Sequence, residues 1–505
     1  MSLELELKFR VPARSLSKIA KLRIAGTRGD AHSETQLLST YFDTKKHKLR
    51  RRGLTFRIRQ ANGNYIQTVK AAGTGSFARG EWESEVGTLV PDLDKADDTP
   101  LQNLVTKKLR RSLKPVFRTS VRRITRLFHA GNSEIELAVD RGSVFVNRRS
   151  APISEFELEL KSGRSADLFH LAKVLAQKTD GQLDLRSKSE RGYLLTNGAR
   201  EAATRAEPIH LDSKLSSLEA FEVIAFSALR HFSTNVDAVR ALDAEAIHQM
   251  RVGLRRLRAA ISLFNKILPN ASTARIKTEL KWLTDELAPA REIDVFLEEW
   301  LFPFVAKSKP KRGARAIESQ FTAKRNAAFE DARRATEAPR FRHLLIDILE
   351  WIETRRNVCE DNTEALIGRT AAAILDRRIK KARKQAGHLE ELSPEERHKL
   401  RIKIKKVRYG VEFFQSLYAD KDRKKLARLV TRLKKIQNVL GTLNDAKAHE
   451  EMAKEAALTA PLQNRRARAF ASGMLVGQER EAAKGMIRTA CRELRKLHPL
   501  TVEPR

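Results

Sequence analysis

The period of the apolar residues changes once along this chain. From Leu3 to about Gly198, single apolar residues alternate with charged ones, as in Leu3-Glu4-Leu5-Glu6-Leu7-Lys8-Phe9 and Phe156-Glu157-Leu158-Glu159-Leu160-Lys161. A strand sends successive side chains to opposite faces, so this alternation builds a sheet with one apolar and one charged face. Turn signals at Ala61-Asn62-Gly63-Asn64 and Ala130-Gly131-Asn132 separate the runs. From about Ser216 onward apolar residues recur at three and four and Ala is abundant, the pattern of amphipathic helices packed in bundles. The small, polar stretch from Gly198 to Pro208 lies between the two patterns. The expected organisation is a β-rich domain over 1–200, a linker over 201–213 and an all-α domain over 214–500.

The helical part repeats itself. His248-Gln249-Met250-Arg251-Val252-Gly253-Leu254-Arg255-Arg256-Leu257-Arg258, followed by Phe264, matches His398-Lys399-Leu400-Arg401-Ile402-Lys403-Ile404-Lys405-Lys406-Val407-Arg408, followed by Phe414. Farther on, the stretch Leu287 to Asp294 echoes Leu440-Gly441-Thr442-Leu443-Asn444-Asp445 at nearly the same offset. A duplicated helical unit, about 214–365 and 366–500, accounts for both.

Charge narrows the partners. Of 505 residues, 98 are Lys or Arg against 63 Asp or Glu, a net +35, which draws polyanions such as phosphate polymers to the surface. Aromatic residues are only 6%, which leaves little stacking surface and argues against nucleic acid. Charges at Glu4, Glu6, Lys8 and Arg10 leave no apolar leader, and runs such as Ala371 to Leu375 fall far below the ~18 residues of a membrane span. Cys359 and Cys491 have no near neighbour, so neither a disulfide framework nor a structural zinc site is expected, and a reducing cytoplasm fits. Ala72-Gly73-Thr74-Gly75-Ser76 lacks the Gly-Lys-Ser/Thr of a P-loop and reads as a hairpin loop.

Carboxylates cluster on three strand-like segments, while Lys70, Arg79, Arg122, Arg123 and Lys188 supply cations from others. In a barrel with charged faces inward, the carboxylates can hold a hard divalent cation and the basic groups can bind phosphate oxygens. With one face simply wet, the same charges serve solubility alone. Glu4-Leu5-Glu6-Leu7-Lys8 resembles the ExExK signature of the CYTH, or triphosphate tunnel metalloenzyme, superfamily. The blocks Tyr41-Phe42-Asp43-Thr44, Leu54 to Arg59, Thr68-Val69-Lys70, Arg79 to Glu83, Glu134 to Asp140, Glu157 to Lys161 and Ser187-Lys188 follow in that family's order. The resemblance implies an eight-stranded antiparallel tunnel acting on triphosphates with Mg2+ or Mn2+. It also implies a catalytic set of Glu4, Glu6 and Lys8. Metal ligands would be Glu4, Glu6, Asp140, Glu157 and Glu159. Phosphate oxygens would fall to Lys8, Arg57, Arg59, Lys70, Arg123 and Lys188, with Arg122 the alternative to Arg123.

On a helix, His248, Arg251, Arg255 and Arg258 share one stripe, and His398, Arg401, Lys405 and Arg408 repeat it. Like charges at i and i+4 repel, a cost that a bound anion relieves. This half resembles the CHAD domain, two four-helix bundles whose basic faces bind inorganic polyphosphate. The resemblance adds Arg256 and Lys406 to the binding candidates. At Ala290 to Asp294 the Asn of the family block is absent, so that segment is assigned packing only. Together the halves resemble bacterial CYTH-CHAD inorganic triphosphatases: an α+β tunnel that hydrolyses inorganic triphosphate to pyrophosphate and phosphate, followed by a polyphosphate-binding all-α domain. The alternative is a non-catalytic polyphosphate-binding module.

Overall fold

The structure is a computed structural model, and it describes residues 5–23, 28–29, 32–71, 80–196, 198, 202–309, 311–354, 365–386, 389 and 391–495. Glu4, Arg79, Cys359 and the Gly-rich loop at 72–76 lie outside the described residues. The chain forms two compact units, Met1–Ala202 with Glu337–Val358, and Ala203–Thr336 with Cys359–Arg505.

The first unit is built on eight principal strands: β1 (Leu5–Arg10), β2 (Ser33–Asp43), β3 (Leu54–Ala61), β4 (Asn64–Ala71), β5 (Gly80–Val86), β6 (Lys114–Ala130), β7 (Ser133–Val146) and β8 (Arg149–Ser162). Their spatial order is β1-β8-β7-β6-β2-β3-β4-β5, every neighbouring pair antiparallel. Two-residue strands, Arg28–Gly29 and Gln182–Leu183, pair with β6 and β1. The β3–β4 hairpin turns on Asn62 and Gly63, both at positive φ (50° and 85°), the primed turn whose twist suits adjoining strands.

Alternation sorts the two faces as expected. Leu7, Phe9, Leu137, Phe156 and Leu158 are fully buried on the outer face, where helix α1 (Ser165–Thr179) packs on β1 and β8. Phe42, Phe56, Ile58 and Val69 bury against Leu93, Leu101 and Leu104 of the loop that follows β5. Each such side chain contributes about 1.5–3 kcal/mol of burial. The charged face turns inward, and the sheet curls until Lys70 of β4 influences Glu6 of β1 at its far side. Helix α2 (Lys188–Thr196) packs on β6, β7 and β8. Its Gly192 lies against the Phe117 ring, where a Cβ would meet Cε2 at 2.3 Å, so only glycine admits this approach.

A helix from the far half of the sequence completes this unit. Pro339–Glu353 buries Phe341, Leu344, Leu345, Ile348 and Leu349 and packs on α1. Lys173 Nζ lies 2.6 Å from both Asp347 and Glu350, and Arg342 pairs with Asp180 at 2.9 Å.

The second unit is helical: α3 (Ser217–Ser233), α4 (Ala244–Leu263), α5 (Asn270–Glu286), α6 (Ala288–Val295), α7 (Lys311–Glu337), α8 (Ile367–Ala386), α9 (Pro394–Phe414), α10 (Asp420–Leu458) and α11 (Arg465–Arg495), with shorter turns between. Asp243 caps α4 by accepting from Ala246 N–H, and Ser393 with Glu396 forms a capping box on α9, fixing where both motif helices begin. These helices pack together, and the equivalent residues Phe264 and Phe414 meet edge to face at 5.8 Å.

Candidate functional site

The tunnel interior is set by strand parity. Glu6 and Lys8 (β1), Arg57 and Arg59 (β3), Lys70 (β4), Arg123 (β6), Asp140 (β7) and Glu155, Glu157 and Glu159 (β8) all stand on the inward face, and α2 adds Lys188 and Arg191. A narrow cavity runs between Arg57, Arg59, Thr119, Arg123, Asp140 and Lys188. Asp43 holds α2 in place: it accepts from the Tyr193 hydroxyl at 2.8 Å and from the backbone N–H groups of Thr44, Leu49 and Arg50.

Two carboxylate groups behave differently. Asp140, Glu155 and Glu157 present oxygens within 4.8 Å of one another, a set that could hold a metal ion. Lys188 Nζ stands 2.7 Å from each of the three, and Arg123 donates to both oxygens of Asp140 at 2.8 and 2.7 Å. Burial opposes the Lys188 charge, but Asp140, Glu155 and Glu157 outweigh it and raise the ammonium pKa well above its ordinary value. Burial likewise works against Glu157, and Lys188 and Arg123 override it, holding the carboxyl well below its usual range. Arg191 ties Glu155 to Asp184 at 2.8 and 2.6 Å, and the Lys8 ammonium, lowered chiefly by burial, donates to the Arg186 carbonyl.

The second group is a row. Glu6 lies directly across from Glu159, and Glu159 from Glu136, on three adjacent strands. Lys161 serves Glu159 at 2.7 Å and Glu136 at 3.9 Å. Glu6 still meets solvent, yet it is pushed up to about 7, first by the charge of Glu157 and next by lost hydration in the tunnel. Crowded carboxylates of this kind are relieved by a divalent cation with oxygen ligands.

On the opposite wall Glu81 receives both Lys70 and Arg57, the latter at 3.3 Å. Arg59 makes no ion pair among the described residues and its Nε has no hydrogen-bond partner. The charge of Arg57, then burial, then Arg123 push it down to about 10. Arg122 is not part of this group. It stands on the outer face, exposed, bonded to Glu34 at 2.7 Å, because adjacent strand residues point oppositely.

In the helical unit the two basic stripes converge. Lys405 is pushed down to about 7, by burial first and then by Arg401 of its own helix and Arg255 of the other repeat. Arg251 falls to about 10 for the same reasons, burial and Arg255. Arg251 donates to the Thr284 carbonyl at 3.0 Å and Arg401 to Asp445 at 3.3 Å. Arg255 and Lys405 have no ion pair among the described residues, and Nε of Arg251, Arg255 and Arg401 lacks a hydrogen-bond partner. Gly441 leaves room for the Arg401 guanidinium, which a Cβ there would meet at 3.0 Å. His248, half-buried beside this group, is lowered to about 4 by burial and then by Arg291 and Arg255. His398 is exposed, so the repeats are not equal here.

Other candidates lie off the cluster. Arg256 is buried over the Phe413 ring at 5.3 Å, and Lys406 faces Arg378, Arg258 and Lys277. Arg258 reaches Thr284 Oγ1 at 3.4 Å, and Arg408 pairs with Gln437 and Glu412 at 2.9 and 2.8 Å. Residues absent from the sequence-based sets also enter. Glu155 and Glu136 share parity with Glu157 and Asp140, a signal present in the pattern. Arg291 stands beside His248 and bonds Asp294, which also receives Arg325; no local spacing marks it. Among the described residues no helix is long and apolar enough to cross a membrane.

Comparison with known proteins accords with these two architectures. Residues 2–193 match the CYTH domain family and residues 223–454 the CHAD domain family. An inorganic triphosphatase of Haemophilus influenzae is 32% identical over 175 residues, which cover 32% of this chain and 47% of that protein. The chain thus spans about half the length of that curated relative. The crystal structure of the CHAD domain from the plant Ricinus communis is 27% identical, with a TM-score of 0.53, and covers 60% of this chain and 99% of its own. This chain joins a CYTH domain to a CHAD domain.

Proposed function

We propose that the tunnel hydrolyses inorganic triphosphate to pyrophosphate and phosphate with the aid of Mg2+ or Mn2+, and that the helical unit binds inorganic polyphosphate, both in the cytoplasm. The observation that carries the first part is Arg59, enclosed beside Arg57 and Arg123 and making no ion pair among the described residues, a group of cations poised for phosphate oxygens. The name of the Haemophilus relative supports the same substrate. Arg57, Arg59, Arg123, Lys8, Lys70 and Lys188 bind the triphosphate, with Arg123 and Lys188 held in position by the buried carboxylates. Glu6 and Glu159 would hold the metal with Glu4, and Glu136 joins them in the row. Asp140 and Glu157 complete the ligand set only where Lys188 gives way. When bound, the cation neutralises charge on the transferring phosphoryl group and activates water. Lys8 shares the inward face of β1 with Glu6, and its ammonium donates to the Arg186 carbonyl.

The test uses the full chain with tripolyphosphate, and measures orthophosphate release with and without Mg2+ or Mn2+. Turnover only with metal is expected. Absence of release with either metal would overturn hydrolysis. A second reading, a non-catalytic polyphosphate-binding module, is favoured by one feature: Lys188 already occupies the centre of the Asp140, Glu155 and Glu157 group.

A further inference from the structure

Outside the tunnel, the helix Leu16–Ala20 packs on β7 and takes Arg126 of β6 at its C-terminal end, while farther along β2, β6 and β7 the outer face carries exposed cations beside exposed apolar side chains. Arg122 lies directly across from Arg141, and Arg118 directly across from Phe145. All four side chains are exposed, Phe145 by 45%. Between these two pairs sits Ser120 opposite Ser143, and beside them on β2 are Gln36, bonded to Ser120 at 3.0 Å, and Leu38, 44% exposed. Like charges directly opposite each other destabilise a sheet unless something anionic lies across them. Glu34 is the one carboxylate on this face among the described residues, and it is bound to Arg122 alone. Past Phe145 the β7–β8 turn adds Arg148 and Arg149, which line a cavity of about 450 Å³ with Asn147 and Thr196.

We infer that this outer sheet face is a binding surface for single-stranded nucleic acid, separate from both the tunnel and the helical cluster. Along a strand four residues span about 13 Å, so Arg122 with Arg141 and Arg118 with Phe145 form two stations along an extended polyanion. Cations that follow a backbone, together with an exposed ring on which a base stacks, are the elements of sequence-tolerant single-strand binding. The Ser and Gln side chains supply hydrogen-bonding groups for base edges. A polyphosphate chain has no use for an exposed Phe and Leu, which is why the ring decides the class of ligand. The low aromatic content of the whole chain does not count against this site, because one well-placed ring serves one base.

The experiment measures fluorescence anisotropy of a short labelled oligo(dT) or oligo(U) with the full-length protein at low and moderate salt. Phe145→Ala and Phe145→Leu are each expected to weaken binding about tenfold, by loss of stacking. Arg118→Gln combined with Arg141→Gln should weaken it by a similar factor and flatten the salt dependence. Exposed positions of this kind leave the fold intact, which circular dichroism verifies. Replacing Arg251, Arg255, Arg401 and Lys405 together by Gln should leave oligonucleotide affinity unchanged. The inference is overturned if both Phe145 variants bind as well as the parent, or if the quadruple variant loses the oligonucleotide. It is overturned too if the Arg118/Arg141 variant loses polyphosphate while the Phe145 variants change nothing, an outcome that would assign the face to polyphosphate. None of these results depends on triphosphate hydrolysis.

Discussion

The tunnel and the helical cluster both enclose cations, but they treat them in opposite ways. In the tunnel most ammonium and guanidinium groups have a carboxylate, Arg59 and Lys8 making no ion pair among the described residues: Lys188 has three, Arg123 two, and Lys70 shares Glu81 with Arg57. In the helical unit Arg255 and Lys405 have none among the described residues, and Lys405 yields much of its charge instead. Paired charges are fixed in place, hold their protonation state and can share a metal ion, which suits a reaction with a defined geometry. Unpaired charges cost stability until an anion arrives, which suits binding without chemistry.

The sharpest way to break this comparison is to remove the tunnel's central cation. Lys188→Met leaves Asp140 and Glu155 buried without their ammonium, and a loss of about 3–5 kcal/mol is expected, read as a shift in the denaturant midpoint of the full chain. A shift under about 1 kcal/mol would mean that the tunnel network is no tighter than a surface ion pair.

Glu6→Gln probes the row. It should lower metal-dependent tripolyphosphate turnover on the order of a hundredfold, with the fold retained, because a metal ligand acts only through the bound ion. Near-parental activity would remove the row from the site. The quadruple replacement of Arg251, Arg255, Arg401 and Lys405 by Gln is its counterpart in the helical unit. Polyphosphate affinity, measured by filter retention without divalent metal, should fall roughly a hundredfold while tripolyphosphate hydrolysis stays within about twofold. Loss of hydrolysis in this variant would show that the two sites are not independent.

The most graded expected effect is on pH. Lys405 has its pKa lowered to about 7 from an ordinary 10.5, and a bound polyanion raises it again. Below pH 7 the ammonium is already charged and polyphosphate affinity is at its maximum. Above pH 7 binding must take up a proton, so affinity falls by up to about tenfold per pH unit until the pKa of the bound state is reached. Lys405→Arg should flatten the profile between pH 7 and 9. A flat profile in the parent protein would mean that Lys405 is charged throughout.

Much of this was legible in the order of residues because it rests on local geometry. Period two puts Arg57 with Arg59, and Glu157 with Glu159, on one face of each strand and sets Lys8 and Asp140 opposite their apolar neighbours, and the Asn62-Gly63 turn announces its hairpin. The 150-residue spacing of the His248 and His398 motifs likewise needs only comparison of the chain with itself. Glu136 and Glu155 obey the same parity as their neighbours, and were readable on that ground.

Other features depend on what lies across a strand or a helix, and no local rule supplies that. Parity alone cannot choose between Arg122 and Arg123; the closure of the sheet turns Arg123 toward Asp140 and sends Arg122 outward to Glu34. A helical stripe cannot say that Arg256 ends over Phe413 while Arg255 faces Lys405. The helix Pro339–Glu353 is plain in its apolar period, yet its apolar face would suit any apolar surface of the right shape. Its place in the first unit, held by Lys173 and Asp180, was decided by tertiary packing. The sequence by itself determined the two architectures, the gathering of charge on one face of each strand and the internal repeat, since these follow from the backbone period of single elements or from comparing the chain with itself. Which cation met which carboxylate, and which were left for an anion, was decided only when distant elements came together, because pairing energies depend on distances that a one-dimensional pattern does not contain.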